Sequence, residues 1–154
     1  MTARHFTMNR PGPRTQFTTR QEGHQAAKRM WICRACWRTS SEKIKQCACG
    51  EKSLEYFASR KEGYRFMTLA RMEEDGEIRG LRIHTKWPLK TIDPTGGVVS
   101  VLHYVDDFNY HDAASGRLVI EDCKGSDKRA AMDPVFMLKR QWFEAQYGMT
   151  ITIT

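Results

Sequence analysis

The chain has 154 residues, 28% of them charged and 40% hydrophobic, with five cysteines and a formal net charge of +7. That length suits one compact domain with a small appendage, and no apolar run approaches the roughly 20 residues that a membrane-spanning helix requires. The charge is unevenly placed: residues 1–50 hold ten Lys/Arg against two acids, and residues 51–154 hold fifteen against sixteen. Such asymmetry favours a polyanionic partner, nucleic acid above others. The first residues, MTARHFTMNRPGPRTQFTTRQ, lack the apolar stretch of a signal peptide. A reducing, cytoplasmic location is therefore expected, in which cysteines serve as metal ligands rather than disulfides.

Residues 1–30 carry Pro11, Pro13 and several Thr and Arg without hydrophobic periodicity, and read as a basic flexible segment. Residues 31–52 form a second unit. Cys33 and Cys36 make a CxxC pair, and Cys47 and Cys49 a CxC pair followed by Gly50. Two close pairs at this separation place four thiolates around one tetrahedral zinc, as in zinc ribbons. His24 is an alternative ligand that four thiolates do not need, and Cys123 stands apart. Arg34, Arg38, Lys43 and Lys45 surround Trp31 and Trp37, a mixture suited to DNA. The tryptophans either stack on bases or pack the small element.

Residues 55–154 form the main domain. Ser59, with Glu62 three positions later, predicts the start of a helix over 59–75 with a capping box, closed by Gly76. Its apolar stripe is Phe66, Leu69 and Ala70, and Glu62 lies on the N-terminal extension of that stripe. EIRGLRIHTKWPL reads as a short strand ending near Pro88. Residues 97–110 read as one long strand, HDAASG as a hairpin turn, and residues 117–124 as the partner strand. Asp133 and Pro134 predict an N-cap and first position for a helix over 134–147, ended by Gly148. MTITIT supplies a last strand.

Strand alternation groups Val99, Val101, His103, Val105 and Asp107 on one face of the long strand. It groups Leu118, Ile120, Asp122 and Lys124 on one face of its partner, with Glu121 on the other. Asp107, Asp122 and Lys124 then meet at one end of one face, joined by Glu62 from the helix. Carboxylates crowded at a point repel unless a divalent cation neutralises them, and hard oxygen ligands suit Mg2+ or Mn2+. The lysine would sit beside the metal, placed to hold the attacking water and offset phosphate charge. A salt-bridged strand end is the alternative that this local pattern leaves open.

The blocks SRKEGYRFMTLARMEEDGEIRGLRIHTKWPL, HYVDDFNY, LVIEDCKG and FMLKRQWFEAQYG resemble, in order, the small phage-encoded nucleases of the PD-(D/E)XK superfamily related to Holliday-junction resolvases. The resemblance covers residues 57–154. It implies an α/β fold of restriction-endonuclease type: a mixed central sheet flanked by helices, here with the zinc-binding knuckle added. It also implies an Mg2+-dependent endodeoxyribonuclease, nicking or structure-selective, in a bacterial host cytoplasm. Glu62, Asp107 and Asp122 match the metal-binding acids, Lys124 the catalytic lysine, and Lys139 a basic position facing DNA. Asp106 stands where the superfamily's proline would, and Gly63 and His84 where Ala and Gln would be expected. Resolvase-like enzymes act as dimers as a rule, which leaves a homodimer open. The rival readings are an inactive zinc-ribbon DNA-binding scaffold and an interaction module of a replication complex.

Overall fold

The computed structural model describes residues 29–124 and 133–154. The basic segment up to residue 28, His24 within it and Gly125 lie outside the described residues. In chain order the elements are β1 (Met30–Cys33), β2 (Thr39–Ser40), β3 (Leu54–Phe57), α1 (Arg60–Glu74), β4 (Ile78–Ile83), β5 (Lys86–Ile92) and β6 (Val98–Val105). Then follow β7 (Phe108–Asp112), β8 (Leu118–Asp122), α2 (Pro134–Tyr147) and β9 (Ile151–Ile153). Among the described residues no helix is long and apolar enough to cross a membrane.

The helix starts behave as the sequence predicts. Ser59 Oγ accepts from Glu62 N at 3.2 Å, and the Glu62 carboxylate accepts from Ser59 Oγ at 2.8 Å and Ala58 N at 3.1 Å. Two amides at the start of α1 are thereby satisfied. Its inner face buries Gly63, Phe66, Leu69 and Ala70. A Cβ on Gly63 would overlap Met30 Sδ, so glycine there lets α1 close onto β1. Asp133 caps α2 by accepting from Val135 N at 2.9 Å, and Gly148 ends it in the left-handed region (φ 65°).

Four strands form the central sheet in the order β4-β7-β8-β9. The β4–β7 and β7–β8 pairs are antiparallel, and β9 returns parallel to β8 after α2. In the turn between β7 and β8, Asp112 Oδ1 accepts from Ser115 N at 2.7 Å and Ser115 Oγ at 2.6 Å, and Gly116 takes φ 68°. One face of this sheet, through Phe108, Tyr110 and Val119, packs on Phe66 and Leu69 of α1. The other face, through Ile120 and Ile151, packs on Phe136 and Phe143 of α2 with Leu89 and Tyr104 from the β5–β6 hairpin. The architecture is mixed α/β, with a helix on each side of the sheet.

Two strand predictions need correction. Residues 77–89 hold not one strand but two, separated at His84 (φ 51°) and Thr85. Residues 97–110 likewise divide, at Asp106 and Asp107. β6 leaves the central sheet to pair with β5, while β7 stays within it. Consequently Val99, His103 and Val105 do not share a face with Asp107: all three are exposed, whereas Tyr104 is buried. Asp106 fixes the joint. It is fully buried (0% exposed) and accepts from Thr85 N at 2.8 Å, Trp87 Nε1 at 2.7 Å and Asn109 Nδ2 at 2.8 Å. A buried carboxylate needs such donors, and these tie the start of β5 to the start of β7.

The cysteine element is built onto the same core. β1 pairs with β3 across Met30↔Phe57 to Cys33↔Leu54, and Met30, Ile32 and Phe57 share the cluster beneath α1.

One buried ion pair joins α1 to the sheet. Glu121, 2% exposed, takes Arg65 Nε at 2.8 Å and Arg65 Nη2 at 2.6 Å, and also the Tyr110 hydroxyl. Removing one partner leaves an uncompensated buried charge, at about 3–5 kcal/mol. Arg65→Met should therefore lower the urea midpoint strongly, and adding Glu121→Leu should restore most of the loss. An Arg65→Met single variant as stable as wild type would contradict this packing.

Candidate active site and metal centres

The four cysteines converge. Cys33 Sγ lies 3.5 Å from Cys49 Sγ, and Cys36 Sγ 3.5 Å from Cys47 Sγ. All four sulfurs lie within 4.8 Å of one another. A disulfide would need about 2.05 Å, whereas Zn–S bonds of about 2.3 Å place tetrahedral sulfurs about 3.8 Å apart. The spacing therefore fits zinc. Trp37 (φ 59°) and Gly50 (φ 95°) follow the two pairs in left-handed conformations, which turn backbone amides toward the sulfurs. The Glu51 amide and then the Cys36 sulfur draw the Cys49 thiol down to about 7. The Arg38 amide also lowers Cys36, but burial and the Cys49, Cys47 and Cys33 sulfurs outweigh it and push Cys36 up to about 12. Thiolates brought this close repel one another, and a bound cation would neutralise them.

The side chains around this element pack. Trp31 lies 5.1 Å from the Tyr56 ring and Trp37 6.2 Å from Phe66. Arg34 sits 5.1 Å over the Phe66 ring and 3.8 Å from Glu55. Arg38, Lys43 and Lys45 are exposed. We expect a double Cys47→Ser/Cys49→Ser variant to lose its zinc by metal analysis, and Cys123→Ser to keep it. Zinc unchanged in the double variant would overturn the assignment.

The second centre lies at the ends of β7 and β8. Their register pairs Phe108 with Glu121, so one step further Asp107 comes opposite Asp122. The two neighbouring acids of β8 diverge as alternation predicts. Glu121 points toward α1 and is saturated by Arg65 and Tyr110. Asp122, 4% exposed, points toward α2 and receives the Tyr104 hydroxyl on Oδ2 at 3.2 Å. Burial foremost, then the charge of Asp122, holds the Tyr104 hydroxyl far above its usual range, so it remains a neutral donor. Lys124 Nζ pairs with Asp122 Oδ1 at 2.6 Å, and among the described residues that buried oxygen accepts no regular hydrogen bond. Lys124 Nζ also sits 4.0 Å over the Phe136 ring. Lys139, partly buried, is one helical turn beyond Phe136.

Asp107 has two sets of neighbours. Its Oδ2 accepts from Cys123 N at 2.6 Å. Glu62, His84 and Asp107 each offer one ligand atom within 4.8 Å of the others. Asp122 stands outside that group, paired with Lys124. Burial raises the Asp107 carboxyl to about 7; the Cys123 amide and Lys124 oppose the shift, and Asp122 and Glu62 add to it. His84 and Tyr104 are the site residues that strand alternation missed. Tyr104 emerges once β6 is separated from β7, because it then faces β8 from a different sheet. No family model, curated protein or solved structure matches the chain.

The Asp107 shift has a definite sign. An acid whose folded pKa lies above its unfolded value of about 3.9 binds its proton more tightly when folded. Without a divalent ion, stability is therefore lost as pH rises from the unfolded value toward 7 and stays low beyond. Asp107→Asn should raise the melting temperature of the divalent-free protein at pH 8 and much less at pH 5. An equal change at both pH values would show that Asp107 is not crowded as described.

Proposed function

We propose that the chain is a metal-dependent endodeoxyribonuclease, with Glu62, Asp107 and Asp122 as metal-binding acids and Lys124 as the catalytic lysine. The observation that carries this reading is the convergence of Glu62 and His84 on Asp107, whose buried carboxyl is held near 7, with Asp122 of β8 and its partner Lys124 opposite. Structural acids in this fold are saturated, as Glu121 and Asp106 are. Asp107 and Asp122 have the Lys124 ammonium, paired with Asp122 Oδ1, against their own two carboxylates and that of Glu62, and a divalent cation would offset the remaining negative charge. Mg2+ or Mn2+ held there would supply charge neutralisation and a water acidified for attack on phosphorus.

The remaining work falls to the chain. Tyr104 fixes one oxygen of Asp122, and Lys124 pairs with the other. Lys124, held over Phe136, is placed to orient the attacking water and to balance phosphate charge. Asp106 and the Cys123 amide hold Asp107 at the joint between β6 and β7. The +8 excess in residues 1–50 suits DNA, with Arg38, Lys43 and Lys45 exposed on the cysteine element and Lys139 beside the centre. The motif order resembles that of the small phage nucleases related to Holliday-junction resolvases, which favours a branched or nicked substrate. A bacterial cytoplasm and a homodimer belong to the same reading.

The test is cleavage of branched, duplex and single-stranded DNA with Mg2+, Mn2+ or EDTA. Asp122→Asn should abolish metal-dependent cleavage while the protein stays folded and binds DNA, a loss of about two orders of magnitude or more in rate. Lys124→Ala should be inactive in the same way. Salt-dependent DNA binding with no cleavage by the wild type under any metal would favour the inactive zinc-ribbon scaffold instead.

A further inference from the structure

We infer that His84 is a metal ligand together with Glu62 and Asp107, and that this centre takes a first-row divalent transition metal in preference to Mg2+. The inference deepens the nuclease reading above and rests on it. Three separate elements bring the ligands together. Glu62 is in the first turn of α1, His84 at the turn between β4 and β5, and Asp107 at the joint between β6 and β7. One ligand atom from each lies within 4.8 Å of the others. The placement of His84 is constrained: its N donates to Asp107 O at 3.3 Å, and its ring lies 5.9 Å from the Phe57 ring.

Glu62 keeps capacity for a metal although it caps α1. A carboxylate has about four lone-pair sites, and Ser59 Oγ and Ala58 N take one each. Independently of this group, Asp122 on the neighbouring strand brings a further carboxylate to the same end of the sheet, where Lys124 Nζ pairs with its Oδ1 at 2.6 Å and Asp107 lies opposite. The imidazole decides the class of ion. Carboxylates alone suit Mg2+, which prefers oxygen and keeps its waters. A nitrogen donor favours transition metals, and Mn2+ is the first of these that also accepts a carboxylate-rich site.

The experiment uses the zinc-loaded full chain and Mn2+ followed by electron paramagnetic resonance. Wild type should bind Mn2+ more tightly than Mg2+ in competition, and pulsed spectra of the bound ion should show coupling to an imidazole nitrogen. His84→Asn, which tolerates the left-handed turn but is too short to reach the ion, should weaken Mn2+ binding. The loss should exceed the roughly tenfold caused by losing an outer-shell partner, with Mg2+ affinity changed little. Absence of nitrogen coupling in the wild type overturns the inference even if the variant does not fold. So does unchanged Mn2+ affinity in a folded His84→Asn. If Asp107→Asn loses Mn2+ and cleavage while His84→Asn keeps both, His84 is no ligand and the nuclease reading stands. If His84-dependent Mn2+ binding is found and no DNA is cut with Mn2+, the metal site stands and the nuclease reading fails.

Discussion

Two consecutive acids at the end of β8, Glu121 and Asp122, are both buried, and the structure around them is organised by the need to neutralise them. Burying an isolated carboxylate is expensive, so each requires partners supplied by other elements. Alternation along the strand sends them to opposite faces. Glu121 draws Arg65 from α1 and Tyr110 from β7, which fastens the helix to the sheet. Asp122 draws Tyr104 from the β5–β6 hairpin and Lys124 from its own strand end. The first acid is saturated and the second is not. That difference separates a residue that holds the fold from one that the proposed function assigns to the metal-binding acids.

The same logic governs the joint at residues 105–108. Asp106 is buried and fully bonded, so it serves the fold: it links Thr85, Trp87 and Asn109 across two sheets. Asp107, one residue on, is left beside Glu62, His84 and Asp122, with the Cys123 amide as its one hydrogen-bond donor among the described residues. Within each of the acid pairs 106–107 and 121–122, one member is structural and the other faces the candidate centre. The cysteine element is joined to this arrangement through the same core, because Met30 and Ile32 of β1 and Phe57 of β3 pack beneath α1. Zinc held at Cys33, Cys36, Cys47 and Cys49 would thus brace the helix that carries Glu62.

Local chemistry made much of this legible in the sequence. Ser59 with Glu62, Asp133 with Pro134, and Gly148 mark helix ends because capping depends on neighbours within a few residues. The parity of Asp122 and Lys124 against Glu121 follows from alternation alone, and the paired cysteines follow from ligand spacing. What could not be read was where strands change partners. The break after Val105 is made by a buried Asp106 whose donors come from 19 and 21 residues away and from Asn109, and no glycine or proline marks it. The turn at His84 is likewise unmarked, since a histidine in the left-handed region has no sequence signature. The same omission hid His84 and Tyr104 as site residues, because both enter through the changed strand pairing.

The direct test of whether this carboxylate centre exists to hold a cation is calorimetric titration of zinc-loaded wild type with Mn2+ and Mg2+ at pH 7. A saturable site is expected whose filling releases protons from the centre, because burial raises the Asp107 carboxyl to about 7 and a bound cation would displace its proton. The proton release, read from the dependence of the heat on buffer ionisation, should vanish in Asp107→Asn. No saturable binding by the wild type, or binding with the same proton release in Asp107→Asn, would contradict it.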